Sequence, residues 1–194
     1  MSTLEYYDLN ARAFVKGSIN ADMREHYARF LQYLSPESAI LDLGCGSGRD
    51  SAFFIEKGFR VVPLDGSKEI CVLAEQFLGI PVRCITFDQL DYSETFDAVW
   101  ACASLLHVSK AELPNIAEKV YQALKPHGIL YASFKYGEEE IIRDGRLFSN
   151  FTEHSINQVF SHLQWKTREL WVSSDVRPGR ETESWINLIA EKLI

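Results

Sequence analysis

Asp42, Gly44, Gly46 and Gly48 recur at every second position behind a short apolar run, Ala39 to Leu43, and an amphipathic segment carrying Phe53, Phe54 and Ile55 follows them. Glycines in this pattern let the backbone take left-handed or crowded conformations, so a ligand can lie directly on the main chain. Some twenty residues on, Asp65 closes a second apolar run, "FRVVPLD". A carboxylate there can accept hydrogen bonds from both hydroxyls of a ribose, as it does in dinucleotide folds. The same acid ahead of Gly66 and Ser67 also suits a plain turn and helix cap. A dinucleotide turn requires G-x-G-x-x-G, its third glycine allowing close packing. Here Arg49 holds that third position, which counts against an NAD-dependent oxidoreductase.

A strand, a turn and a helix must hold these residues. Ile40, Leu41 and Leu43 read as a strand buried on both faces of a parallel sheet, and the helix after the turn stops at Gly58. "FRVVPLD" is the second strand; a helix from about Ser67 to Phe77, stopped by Gly79, leads to the strand "IPVRCITF". Phe96 to Ala101 form the next strand. Ser109 opens a helix with Glu112 completing a capping box, and Leu113, Ile116, Val120 and Leu124 give its buried face. "ILYASFKYG" is the fifth strand. Before the glycine turn, Met23, Tyr27, Phe30, Leu31 and Leu34 recur at helical spacing. Past the fifth strand, "GEEEIIRDGRLFSNF" reads as a charged loop with Glu138, Glu139 and Glu140 a solvated run. Thr152 then begins a helix, and "KTRELWVSS" and "ESWINLIAEKL" form a hairpin around Pro178 and Gly179. The expected fold is an α/β three-layer sandwich, Rossmann-like, with a seven-stranded mainly parallel sheet ending in an antiparallel hairpin. Residues 1–194 read as one domain, with a helical cap segment over 1–35 and the core over 36–194.

The D-x-G-x-G-x-G turn from Asp42 through Gly48 resembles motif I of the class I S-adenosylmethionine-dependent methyltransferases. The resemblance covers almost the whole chain and is strongest from Ile40 to Phe134; the helix end Leu124-x-Pro126-x-Gly128, followed by an aromatic-rich strand, is a familiar part of it. The chain looks most like small bacterial methyltransferase-domain proteins of the tellurite-resistance type. This resemblance implies S-adenosyl-L-methionine, a cofactor without phosphates, held along Asp42, Gly44, Gly46, Arg49, Asp65, Gly66 and Ser67. It implies Phe87 and Asp88 at the adenine, and the small residues Ala101 and Ala103 where cofactor and acceptor meet. In many such enzymes an N-terminal segment closes over the cofactor. Tyr6, Tyr7 and Phe14 are expected either to do this, Tyr7 touching the cofactor, or only to cover the sheet. His107 either acts as a base at neutral pH or fills space beside a helix start. Arg143, Arg146, Arg177 and Arg180 cluster in two loops of an otherwise acidic chain, and guanidinium forks recognise carboxylates and oxyanions. Arg146 and one of Arg177 or Arg180 are expected to face the acceptor with Tyr136 and Trp185, the rival reading being solvated loop arginines.

Composition narrows the partners. The chain has 194 residues, 46% hydrophobic and 24% charged, and a net charge of −7, so it offers no general attraction to a polyanion. A small-molecule acceptor is therefore expected ahead of nucleic acid. The signature N-P-P-[YF] of exocyclic-amine methylation is absent, and Cys102 lacks the Pro-Cys context of cytosine C5 enzymes. Cys45, Cys71, Cys84 and Cys102 are scattered, without a C-x-x-C pair or a His at ligand spacing, which reads as reduced thiols in a cytoplasmic protein with no metal site. The first residues carry charges and no apolar core segment, unlike a secretory signal. Two further readings stand beside a small-molecule enzyme: a tRNA-modifying methyltransferase, and a non-catalytic module that senses S-adenosylmethionine.

Overall fold

A computed structural model describes residues 1–194. The apolar runs form strands β1 (Ala39–Leu43), β2 (Arg60–Asp65), β3 (Arg83–Cys84), β4 (Phe96–Ala101) and β5 (Leu124–Lys135). With β8 (Trp165–Ser174) and β9 (Ser184–Lys192) they make one seven-stranded sheet in the order β3-β2-β1-β4-β5-β9-β8. The first five pair in parallel; β9 runs antiparallel to β5 and to β8. The expected architecture is thus the observed one.

Strand alternation divides the core. Leu41, Leu43, Val99, Ala101, Leu130 and Ala132 point to the face covered by α5 (Leu113–Ala123) and α6 (Glu153–Phe160). Ile40, Ala98, Trp100, Ile129 and Tyr131 point to the other, where α2 (Arg24–Leu31) and α3 (Arg49–Glu56) supply Tyr27, Phe30 and Phe54. A sheet buried on both faces explains why its strands read as unbroken apolar runs. Helix α4 (Lys68–Leu78) follows β2, capped by Ser67, and α1 (Thr3–Ser18) packs along it; the Asp8 carboxylate accepts from Ser67 Oγ at 2.6 Å and from the Glu69 amide at 3.3 Å.

Three local expectations are corrected. The stretch read as a charged loop is a hairpin, β6 (Glu140–Arg143) and β7 (Arg146–Ser149), turned at Asp144 and Gly145. Both turn residues have positive φ, +52° and +78°, the geometry Asp-Gly favours in a two-residue hairpin loop. Ser109 and Glu112 do exchange bonds, 2.6 Å between side chains and 3.2 Å from the Glu112 amide, but they close a turn ahead of α5. Pro114 has no N–H to continue the ladder back to Lys110, so the regular helix starts later. Of "IPVRCITF" only Arg83 and Cys84 pair in the sheet.

Candidate functional site

Strand order reverses between β1 and β4, and ligands in open α/β sheets bind beyond the strand C-termini at that point. There a cavity of about 1510 Å³ lies between the sheet, α1 and the β6–β7 hairpin. Ligand pockets run to about 1,000 Å³, so this one has room for two molecules side by side.

One end is the glycine turn. The amides of Gly44 and Cys45 both donate to the Leu64 carbonyl at 2.8 Å, tying the turn to β2. Gly44 (φ +82°) and Gly46 (φ +54°) form its floor. A Cβ on Gly44 would sit 2.4 Å from the Ser104 Cβ, and one on Gly46 would press on the Phe14 ring at 3.2 Å. Beneath Gly44 the Ser104 hydroxyl is buried without a partner. Asp65 stands alongside, one oxygen accepting from the Gly46 amide and the other from the Ser67 amide, each at 3.0 Å. Burial pushes its carboxyl up, and the amides of Ser67, Gly46 and Gly66 work against that. Gly66, Phe87, Asp88 and Ala103 line the same end. Arg49 lines it too, but its fork is taken: Nε and Nη2 hold Asp50 at 2.6 and 3.0 Å, and Nη1 reaches the Ser18 carbonyl at 3.1 Å. Burial alone would raise the Asp50 carboxyl; Arg49 and donors Tyr27 and Trp100 hold it below its usual range.

The other end is built where α1 meets the hairpin. The Tyr7 hydroxyl is 2.8 Å from His107 Nε2, and His107 Nδ1 is 2.6 Å from the Leu147 carbonyl. A carbonyl only accepts, so Nδ1 carries the proton and Nε2 accepts from Tyr7. Burial pushes the imidazole down to about 4, with the Arg146 charge adding to the effect. Burial also raises the Tyr7 phenol, against Arg146. Arg146 lies 4.0 Å over the Tyr6 ring and 5.2 Å from the centre of Phe148. Its Nε is buried and unpartnered, and its ion pair is with Asp144 at 3.5 Å. Arg177, in contrast, is locked on the buried Asp175 through Nε at 2.9 Å and Nη2 at 2.5 Å. The Trp185 indole (3.1 Å) and Lys135 (3.4 Å) share that carboxylate, and together these donors outweigh burial and hold Asp175 well below its usual range. Arg180, Arg143 and Tyr136 line the rim and are exposed, Tyr136 donating to Glu153 at 3.1 Å. Cys102 also reaches the cavity, but burial, then Asp50, pushes its thiol up to about 12.

The cavity thus gathers most of the residues singled out in the sequence, with three exceptions. Asp42 shares the face of Ile40 and points away toward α3, where it accepts from Ser51 Oγ at 2.6 Å; burial, then Asp50, pushes its carboxyl up to about 8. Ser67 is fully buried as the cap of α4, its hydroxyl turned to Asp8. Ala101, on the α5 face of β4, is also fully buried. Sequence reading missed Asp8, Asp175 and the Leu147 carbonyl. Only the last had a signal, the Asp144-Gly145 pair between "IIR" and "RLF".

Residues 40–128 match the family model of a methyltransferase domain. The putative methyltransferase YqeM of Bacillus subtilis is 34% identical over 127 residues, 59% of this chain and 51% of that protein. The chain spans about half the length of the curated relatives it matches. Among solved structures, a chain of the complex between the Haloferax volcanii Trm112 methyltransferase activator and the putative methyltransferase superposes with a TM-score of 0.79 at 20% identity, covering 98% of this chain and 97% of that one. The 1,6-didemethyltoxoflavin-N1-methyltransferase of Burkholderia thailandensis, solved with 1,6-didemethyltoxoflavin and S-adenosylhomocysteine, gives 0.75 at 22% identity, covering 100% and 92%. The fold is that of the class I methyltransferases. Residues 40–128, 89 of the chain's 194, are thus similar to a methyltransferase domain, and they hold the glycine turn, Asp65 and His107. No helix is long and apolar enough to cross a membrane.

Proposed function

We propose that this protein transfers a methyl group from S-adenosylmethionine to a small-molecule acceptor. The observation that carries the reading is the two-ended cavity, a side-chain-free floor with a carboxylate at one end and the Tyr7, His107 and Arg146 group at the other. The first end fits the cofactor: Gly44 and Gly46 leave room that a Cβ would fill, and the Ser104 hydroxyl below them lacks a partner. Asp65 would hold the ribose hydroxyls, and Phe87 and Asp88 the adenine. S-adenosylmethionine supplies a methyl on a sulfonium, already an excellent leaving group. The chain's task is therefore alignment, exclusion of water and the handling of any acceptor proton. Helix α1, residues 3–18 of the cap segment, walls the cavity through Tyr6, Tyr7 and Phe14.

His107 is placed to orient rather than to take protons. An imidazole pushed down to about 4 is a weak base at neutral pH, and its Nε2 already receives the Tyr7 hydroxyl. That bond fixes the Tyr7 oxygen beside Arg146 on the cavity wall, where a remaining lone pair can accept a hydrogen bond from the acceptor. This favours an acceptor that is nucleophilic without deprotonation. The small tellurite-resistance-type enzymes, which the sequence resembles, belong to the same proposal.

Calorimetric titration with S-adenosylmethionine, S-adenosylhomocysteine and NAD tests the reading. Binding of the first two without the third is expected; a folded protein silent to both sulfur ligands refutes it. Transfer of labelled methyl to small metabolites separates an enzyme from a sensor. A tRNA-modifying enzyme would instead bind bulk tRNA, steeply weakened by salt.

A further inference from the structure

We infer that the acceptor carries a carboxylate and that Arg146 selects it; the inference rests on the methyl-transfer reading of the cavity. Five arginines line this cavity. Arg49 is spent on Asp50 and the Ser18 carbonyl, and Arg177 on Asp175. Arg180 is half exposed near Glu183 at 3.8 Å, and Arg143 lies exposed on β6. Arg146 differs from all four. Its side chain is only 20% exposed, its Nε has no acceptor, and its one ion pair is a 3.5 Å contact with Asp144, which is itself 67% exposed.

A buried guanidinium N–H without an acceptor is a standing penalty that a ligand oxygen can relieve. The fork is also held ready. The Tyr6 ring at 4.0 Å and Phe148 at 5.2 Å fix its plane, so little rotamer freedom is lost when a planar two-oxygen group docks on it. The imidazole of His107 next to it is neutral, so the positive charge of that corner comes from Arg146 and from the exposed Arg143 paired with it across the hairpin; Asp144 is the opposing carboxylate. Phe148, Ile141 and Ile116 add apolar wall to the same cavity. A small acceptor with an apolar body and a carboxylate head matches such a corner: the head on Arg146, the reacting atom near the Tyr7 hydroxyl.

Benzoate and its neutral isostere benzamide probe this directly, titrated calorimetrically into protein saturated with S-adenosylhomocysteine. Benzoate is expected to bind at least about tenfold more tightly than benzamide. Arg146→Gln should weaken benzoate by roughly tenfold to a hundredfold and bring the benzoate-to-benzamide ratio close to one, while S-adenosylhomocysteine affinity holds. Arg146→Lys, which keeps the charge and loses the fork, should fall between. A structural role for Arg146 would shift both probes alike. Absence of benzoate binding, equal binding of the two probes, or preference for benzoate surviving in Arg146→Gln overturns the inference. Silence to S-adenosylhomocysteine in the folded protein would bring down the methyl-transfer reading, and this inference with it.

Discussion

Replacing Asp65 by Ala separates two roles that the structure gives one carboxylate. Its oxygens already accept from the amides of Gly46 and Ser67 at 3.0 Å, and a carboxylate oxygen has a second lone pair to offer. If two ribose hydroxyls use those lone pairs, the variant loses two charge-assisted bonds. At about 1.5 kcal/mol each, that is about 3 kcal/mol, or roughly a hundredfold in affinity for S-adenosylhomocysteine. It also strands two amides that cavity water only partly serves, so the ligand-free protein should lose about 1–3 kcal/mol of stability. Asp65→Asn keeps one acceptor oxygen and should sit between, near tenfold. The assay is calorimetric titration paired with urea unfolding in the absence of ligand. A folded Asp65→Ala protein that binds S-adenosylhomocysteine as tightly as the parent would refute the ribose assignment. A protein equally stable without ligand would show that the carboxylate does not hold the turn.

Three further predictions concern His107, Asp42 and Gly44. His107 is neutral in the fold because burial pushes it down to about 4, whereas an unfolded imidazole titrates near 6.5. Between those values the unfolded chain binds more protons, so stability falls as pH drops, by roughly 3 kcal/mol over the whole window and about 2 kcal/mol from pH 7 to pH 5; urea titrations at those two pH values should show a smaller drop in His107→Asn. Asp42 has the opposite sign. Burial and then Asp50 push its carboxyl up to about 8, so the folded state holds the extra proton and its stabilisation fades as pH rises from about 4 to about 8. Asp42→Asn should therefore gain melting temperature over the parent toward pH 8, with unchanged S-adenosylhomocysteine affinity; weakened binding would return Asp42 to the cofactor site. Gly44→Ala, whose Cβ would meet Ser104 at 2.4 Å in a left-handed backbone, should destabilise the fold by roughly 2–5 kcal/mol in urea unfolding.

How far the sequence spoke for the fold depended on whether one face or one turn decided the outcome. Ile40, Leu41 and Leu43 could only be a doubly buried strand, and Ser67 and Gly79 bracket α4 as cap and stop. Asp42 shows where motif reading fails. The pattern D-x-G-x-G-x-G places it next to the ligand turn, but alternation along β1 puts it with Ile40 on the α3 side, behind the wall. The hairpin was hidden for another reason: three consecutive glutamates and two arginines mask the apolar cross-strand pairs Ile141–Phe148 and Ile142–Leu147. Its pairing is a tertiary event, fixed by burial of Ser149, whose hydroxyl bonds the Val108 carbonyl at 2.7 Å. Among the arginines, the sequence could rank none. Arg177 and Arg146 look alike until Asp175 is seen to occupy the fork of the first, while the second keeps a buried Nε without an acceptor.

Leu147 joins these observations into one arrangement. Its amide donates to Thr3 Oγ1 at 3.1 Å on α1, while its carbonyl accepts from His107 Nδ1–H at 2.6 Å. His107 Nε2 in turn receives the Tyr7 hydroxyl, again from α1, and Arg146, the residue before Leu147, lies on Tyr6. The same pieces of chain therefore wall both ends of the cavity. Without α1 docked on the hairpin, Nε2 loses its donor, Arg146 loses its shelf, and neither the Tyr7 oxygen nor the free fork has a defined position. Under the proposed methyl transfer, the acceptor corner is therefore complete only with α1 docked on the hairpin.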